Sequence, residues 1–249
     1  MEINKNKILK ICNVVWSAGE RIKSIYSKKF KIFKKKDFTP VTTADLESER
    51  IIIEGLEKIF NKPKIFSEET NFKNQKSIKN FWLVDPLDGT KEFIKKNGEF
   101  TVNVAFIKNK KPFFGIIYAP ILKKTYVGIK NKTYKVINKK SFREITPKKK
   151  INKTIIISRS HSSKKDIHKL KKKYNTNKVL FLGSSLKFCY IAEGIAQVYP
   201  RIGTTYEWDT AAGHAIINGV GGKVESFKGK EMSYGKKNFK NNSFVARFF

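Results

Sequence analysis

Apolar residues recur at helical spacing near the start of the chain. Ile8, Ile11, Cys12, Val15, Ala18, Ile22 and Ile25 predict an amphipathic helix over residues 4–28. A second helix is expected over 43–60, opened by Thr42 and Asp45 in capping-box spacing. Between them lies the basic run Lys34-Lys35-Lys36. Residues 64–67 read as a short strand running into Glu68-Glu69, and 71–79 as a polar loop. Phe81 to Val84 is an apolar run of buried-strand length. It is expected to end at Asp85, before a turn containing Pro86, Asp88 and Gly89. Strand-length segments follow at 101–107, 113–118, 125–129 and 134–137, separated by Lys, Asn and Gly, which predicts an antiparallel meander.

Beyond Pro147-Lys148-Lys149-Lys150 the rhythm changes. Strands are expected at 154–158, 179–182, 196–199, 223–226 and 243–247. They are interleaved with helices at 164–174, 184–193 and 209–218. That alternation is characteristic of an α/β layered sheet. The pattern therefore divides the chain into an N-terminal α+β half, 1–147, and a C-terminal α/β half, 148–249, closely joined. There is no internal repeat, and no apolar run approaches the roughly 20 residues that cross a membrane. Nothing resembles a secretory leader.

Composition changes this picture little. The 249 residues carry a formal charge of +32, but only six of the 53 basic residues are arginine. Base-edge recognition favours Arg for its bidentate geometry. The lysine excess, together with frequent Asn and Ile, reads as solvated surface from AT-rich coding rather than as a nucleic-acid footprint. A basic nucleic-acid-binding protein with structural acids is the alternative from another class, and no stable nucleic-acid partner is expected. Cys12 and Cys189 lie far apart in sequence and fit a thiol-containing cytoplasmic protein.

The candidate chemistry lies in carboxylates placed at element ends: Asp45, Glu68, Asp85, Asp88 and Asp209. Each alone has an ordinary reading as turn, surface acid or helix-start acid. Two acids at the mouth of a buried strand, however, need a cation or strong hydrogen bonds to offset repulsion and desolvation. Hard divalent cations take oxygen ligands, and His and Cys are scarce, so magnesium is favoured over zinc. Asp85 suits a bridging position, with Asp88 and Glu68 on separate ions and the Leu87 carbonyl available in the turn.

Asp85-Pro86-Leu87-Asp88-Gly89-Thr90 and Trp208-Asp209-Thr210-Ala211-Ala212-Gly213 together resemble the paired signatures of the inositol monophosphatase superfamily. Its members are magnesium-dependent, lithium-sensitive phosphate monoesterases. Three further stretches are similar to its bisphosphate nucleotidase branch. They are Asp88 to Ile94, Ser158-Arg159-Ser160-His161, and Gly183 to Cys189 leading into Ala192-Glu193-Gly194 and Tyr199-Pro200-Arg201.

The resemblance implies a layered α-β-α-β-α sandwich like that of inositol monophosphatase and fructose-1,6-bisphosphatase. It implies two or three magnesium ions held by Glu68, Asp85, the Leu87 carbonyl, Asp88 and Asp209, with water activated by Asp45, Glu68 and Thr90. The same set, with Gly89, Thr90 and Lys91, would hold the scissile phosphate. Ser158, His161, Gly183 and Lys187 would contact the adenosine 5′-phosphate portion of a phosphorylated nucleotide, and the amides at 183–185 would open a helix toward that phosphate. The implied reaction converts adenosine 3′,5′-bisphosphate to AMP and phosphate, removing a by-product of sulfate assimilation. An inositol-phosphate or sugar-phosphate phosphatase is the alternative within the superfamily. Two departures are Ser67, where many monophosphatases carry Gly, and the stretch Gly203 to Tyr206, which leaves exact specificity open. Relatives often dimerise, so a homodimer stays open, as does weak peripheral association with the cytoplasmic face of the inner membrane.

Overall fold

The computed structural model describes residues 2–35, 39–70, 78–138, 141–146, 154–160 and 162–248. The 147–150 boundary segment and most of the 71–79 loop therefore fall outside the described residues.

The first helix, α1 (Lys5–Tyr26), is capped by Asn4, whose side chain accepts from the Lys7 N–H. A hairpin of β1 (Ile32–Lys34) and β2 (Pro40–Thr42) leads into α2 (Thr43–Ile59). The expected capping box forms there. Asp45 Oδ2 accepts from the Thr42 N–H at 2.7 Å, and Thr42 Oγ1 accepts from the Ala44 N–H. The chain then builds a seven-stranded sheet from β3 (Ile65–Ser67), β4 (Asn80–Asp88), β5 (Thr101–Lys108), β6 (Lys111–Ala119), β7 (Lys124–Ile129), β8 (Lys132–Val136) and β9 (Phe142–Glu144), in sequence order. A short helix, α3 (Thr90–Ile94), separates β4 from β5. All pairings are antiparallel except β3 with β4.

The second half contains β10 (Thr154–Ser158), α4 (Lys164–Lys173), β11 (Lys178–Leu182), α5 (Leu186–Ala192), β12 (Val198–Arg201), β13 (Thr205–Tyr206), α6 (Glu207–Gly219), β14 (Lys223–Ser226), β15 (Lys240–Asn241) and β16 (Phe244–Arg247). Five of these strands form a sheet in the order β11-β10-β12-β16-β14, and β13 pairs with β15.

Strand periodicity sorts the core into layers. From β4, Trp82 and Val84 pack with Ile11, Val15 and Ile22 of α1 and Ile52 and Leu56 of α2. Phe81 and Leu83 face the other way, onto Trp208, Ala211, Ala212 and Ile216 of α6. Ile217 of α6 joins Leu186, Phe188 and Ile191 of α5 against Tyr199, Val224, Phe244 and Ala246 of the smaller sheet. The outer face of that sheet, Ile155, Ile157, Val198 and Val245, is covered by Leu170 and Ile167 of α4. The result is the expected α-β-α-β-α sandwich. Helix α6 lies unusually close to the larger sheet. A Cβ on Gly115 would stand 2.5 Å from the Ala212 carbonyl, and one on Gly128 would overlap the Ala215 backbone. Only glycine permits that approach.

Several boundaries shift, among them the strand expected at 196–199, which is Val198–Arg201, and the helix expected from 209, which starts at Glu207; two further changes bear on the site. Strand β4 does not stop at Asp85. It pairs with β5 at Asp85↔Asn103 and again at Asp88↔Thr101, with a register irregularity between them. Pro86, which has no N–H to give a ladder, sits inside that irregularity, and its carbonyl accepts from Ser48 Oγ at 2.7 Å. The turn begins only at Gly89, whose φ of 97° is left-handed. Helix α5 starts at Leu186 rather than 184, because Ser184 is itself left-handed with φ of 49°. Short pairs such as β13 with β15, and the brief β9, escape prediction because two or three residues carry no period.

No helix among the described residues is long and apolar enough to cross a membrane. Cys12 and Cys189 are buried free thiols.

His214 is fully buried on α6, with Nδ1 3.0 Å from the Tyr234 hydroxyl. Burial, aided by Lys111 and Lys236, holds its pKa down at about 3. The folded protein keeps His214 neutral while the unfolded chain takes up a proton below its ordinary value of 6.5, so stability present above that value is lost as pH falls towards 3. Urea unfolding of His214→Gln should show a shallower pH dependence between pH 6 and 4, by about 1.4 kcal/mol per pH unit at the limit. Equal slopes in the variant and the parent would mean that His214 is charged in the fold.

Candidate active site

Strands β3 and β4 run side by side, and their ends deliver the first acids. The Glu68 N–H donates to the Val84 carbonyl at 3.1 Å, so Glu68 leaves β3 directly beside Asp85. Asp85 is buried at 1 % exposure, and its Oδ1 accepts from the Leu87 N–H. Asp88, half-buried, accepts from the Asn103 side chain at 3.2 Å and from the Ser185 N–H at 2.5 Å. Asp209 arrives from the far half at the start of α6, where its Oδ2 accepts from the Tyr206 N–H at 2.7 Å. Glu68, Asp85 and Asp209 each place an oxygen within 4.8 Å of the others.

Such a cluster is electrostatically costly without a cation. Burial, then Glu68, Asp88 and Asp209, push the Asp85 carboxyl well above its ordinary range. Burial is also the main cause at Asp209, followed by Glu68 and Asp88. At Asp88 burial raises the pKa, while Lys187 and the hydrogen bonds from Asn103 and Ser185 oppose it. The donor set is entirely oxygen, and among the described residues neither His nor Cys lines the cavity. That chemistry fits a hard divalent cation such as magnesium.

Asp45 stands behind this cluster. Its Oδ2 is occupied by the Thr42 N–H and hydroxyl, which leaves Oδ1 for Thr90 Oγ1 at 3.0 Å. The Leu87 carbonyl is 3.3 Å from the same hydroxyl. Burial raises the Asp45 pKa despite these bonds. The aligned Thr90–Asp45 pair can therefore receive a proton from a water that hydrogen-bonds to Thr90.

Glu68, Asp85, Leu87, Asp88, Gly89, Thr90, Lys91, Ser158, Lys187 and Asp209 all border one cavity of about 290 Å³. Asp45 touches it through Thr90. Gly183 does not line it, and its N–H donates to Glu99 Oε2 at 2.8 Å. His161 lies outside the described residues. The amides expected to greet a phosphate at 183–185 are largely engaged by protein, since Ser185 N–H is held by Asp88. Lys187 is buried, donates to the Leu182 and Ser184 carbonyls, and lies 5.1 Å from the centre of the Tyr199 ring. Burial lowers its pKa to about 8, with Asp88 acting the other way.

Two cations named in the sequence reading receive no site role there. Arg201, at the end of β12, lines the cavity, and its guanidinium reaches the Thr204 carbonyl at 3.5 Å. Its signal was present: it is one of few arginines in a lysine-dominated chain. Lys35 bridges Glu68 and Glu69 at 2.8 and 2.7 Å from the β1–β2 hairpin. Nothing distinguishes it in sequence from its lysine neighbours.

The Inositol monophosphatase family model matches residues 4–246. The 3′(2′),5′-bisphosphate nucleotidase CysQ of Buchnera aphidicola subsp. Acyrthosiphon pisum is 43% identical over 244 residues, covering 95% of this chain and 92% of its own. A crystal structure of CysQ from Bacteroides thetaiotaomicron, a bacterial member of the same family, superposes with a TM-score of 0.84 at 34% identity, covering 98% of this chain and 97% of that one. A more distant structure, an IMPase/NADP phosphatase complexed with Mg2+ and phosphate, shares the fold with a TM-score of 0.79 at 20% identity, over 95% and 88% of the two chains. With a match that runs almost end to end in both sequence and fold, this chain belongs to the inositol monophosphatase family.

Proposed function

We propose that this chain is a magnesium-dependent 3′(2′),5′-bisphosphate nucleotidase that removes the 3′-phosphate of adenosine 3′,5′-bisphosphate, releasing AMP and phosphate. The observation that carries this reading is that a carboxylate cluster and several cations line a single cavity. Glu68, Asp85, Asp88 and Asp209 supply the acids, and Lys91, Lys187 and Arg201 the cations. A ligand with two phosphates can use both, one on a cation held by the acids and one on the basic side chains. Tyr206, partly exposed, lines the same space and offers aromatic surface to a base. The names of the CysQ relatives support the same substrate class.

Glu68, Asp85, the Leu87 carbonyl, Asp88 and Asp209 would hold two or three magnesium ions. Bound magnesium supplies neutralisation of phosphate oxygens and acidification of a water. The chain's own residues do the rest. Glu68 and Thr90 orient the attacking water, and Thr90 Oγ1 relays its proton towards Asp45 Oδ1. Gly89, Thr90 and Lys91 open α3 against the scissile phosphate. Ser158, Lys187 and Arg201 hold the distal 5′-phosphate, with His161 assigned to the same side by family resemblance, while Gly183 shapes the adjoining turn. No covalent phosphoenzyme is required, because the activated water itself attacks phosphorus.

Cation binding should be visible in stability, because a ligand that binds only the folded state raises the unfolding temperature. Magnesium should raise the midpoint of the parent protein by several degrees above its value in chelator. Asp85→Asn removes one charge from the repelling cluster. It should melt higher than the parent in chelator, fail to respond to magnesium and lose nearly all phosphatase activity. Parent-like turnover in that variant would place the reaction elsewhere.

Substrate assignment is tested by phosphate release from adenosine 3′,5′-bisphosphate and from inositol 1-phosphate, each with magnesium and with or without lithium. The nucleotide should be strongly preferred and lithium inhibitory. Preference for the inositol ester would overturn the substrate but leave the metal cluster intact. Lys187→Ala should raise KM for the bisphosphate by about tenfold or more, as expected for losing a charged contact. An equal rise for a simple phosphate ester would remove Lys187 from distal recognition.

A further inference from the structure

Glu99 lies outside the cavity lining, in the loop between α3 and β5, yet it touches both turns that border the cavity. Its Oε2 accepts from the Gly183 N–H at 2.8 Å and from Arg159 Nε at 2.8 Å. Its Oε1 accepts from Arg159 Nη2 at 2.6 Å, which makes the pair bidentate. Arg159 Nη2 also donates to the Phe181 carbonyl at 2.7 Å. One carboxylate thus gathers the ends of the adjacent parallel strands β10 and β11, the strands that present Ser158 and the Gly183–Lys187 turn.

The Glu99 main chain makes the other connection. A Cβ on Gly183 would stand 2.8 Å from the Glu99 carbonyl oxygen, and one on Gly89 would stand 3.1 Å from it. Both glycines therefore abut the same peptide group. Glu92 of α3 adds a second brace: its Cγ would be 2.6 Å from a Gly183 Cβ, and its Oε1 accepts from Ser160 Oγ at 2.5 Å. The two turns also touch directly, through the Ser185 N–H on Asp88 and a Ser184 Cβ that would lie 3.4 Å from a Cβ on Gly89, and Glu99 braces the Gly183 side of that contact.

We infer that Glu99 is a positioning residue that, with Arg159, holds the Gly183–Lys187 segment in place against the phosphate-holding turn at Gly89–Lys91, and so tunes recognition of a bisphosphorylated nucleotide. This rests on the nucleotidase reading above. A substrate with two charged ends is sensitive to that placement, whereas inorganic phosphate needs only the cation-holding acids. The pair is partly exposed, with side-chain exposures of 44% for Arg159 and 19% for Glu99, and half-exposed ion pairs contribute little to global stability. Its loss should therefore appear in substrate affinity.

The test compares parent, Glu99→Gln and Arg159→Met with magnesium present. It measures kcat and KM for adenosine 3′,5′-bisphosphate by nucleotide chromatography and the inhibition constant of inorganic phosphate. Glu99→Gln should raise KM by about tenfold to a hundredfold, the range for misplaced binding geometry, with kcat and phosphate inhibition within about twofold. Arg159→Met, which spares the Gly183 contact, should move KM in the same direction by less, and it serves as the reading if Glu99→Gln does not fold. An unchanged KM, or a fall in kcat with KM constant, would overturn the inference and leave Glu99 a structural residue. A parent enzyme that prefers inositol 1-phosphate would instead overturn the nucleotidase reading and this inference with it.

Discussion

The arrangement depends on bringing four carboxylates to one place against their mutual repulsion. Asp85 is buried, and Glu68, Asp88 and Asp209 all act to raise its pKa. A flexible chain would let such groups drift apart. Here each of the three aspartates is anchored by a backbone or buried side-chain donor: Leu87 N–H for Asp85, Ser185 N–H and Asn103 for Asp88, and Tyr206 N–H for Asp209. These bonds stabilise the charged form and fix its direction. The protein therefore bears the cost of convergence in its fold, and a cation that relieves it binds to a site already assembled.

Layering supplies the convergence. Glu68 and Asp85 come from neighbouring parallel strands in matching register, with Ser67↔Val84 the last pair before them. Asp209 comes from the first turn of α6, where an acid is favoured by the helix dipole. Helix α6 is sandwiched between both sheets, and its height over the larger one is fixed by Gly115 and Gly128. Changing that height would move Asp209 relative to Asp85. The core packing and the acid geometry are thus one constraint.

The two halves meet through polar groups as well as apolar ones. Ser185 illustrates this: its N–H holds Asp88, while its hydroxyl lies 2.7 Å from Asn103 Oδ1 and 2.8 Å from Thr101 Oγ1. All three side chains are almost fully buried, where satisfied networks are rigid. The carboxylate cluster is consequently held partly by residues of the C-terminal segment, Ser185 and Tyr206. The large positive charge elsewhere is mostly lysine, and among the described residues Lys187 differs from the other lysines by being buried beside Asp88.

Much of this was legible in the chain. Hydrophobic periodicity located α1, α2, the meander and the alternating second half, because long elements repeat their burial pattern several times. The acids at element ends were legible too, since charged residues interrupting apolar runs require a reason. Periodicity did not assemble them; only the family resemblance grouped Glu68, Asp85, Asp88 and Asp209 as one ligand set. Asp209 is more than a hundred positions from Asp85, and periodicity says nothing about which strand end faces which helix start. The bulge that keeps Asp85 and Asp88 in one strand, the left-handed Ser184 that delays α5, and the capture of the Gly183 and Ser185 amides by Glu99 and Asp88 all depend on partners distant in sequence. Arg201 and Lys35 acquire their positions in the same way. Local sequence determined the elements and the chemical types at their ends; tertiary packing decided which ends meet, because the bonds that orient each acid come largely from residues elsewhere in the chain.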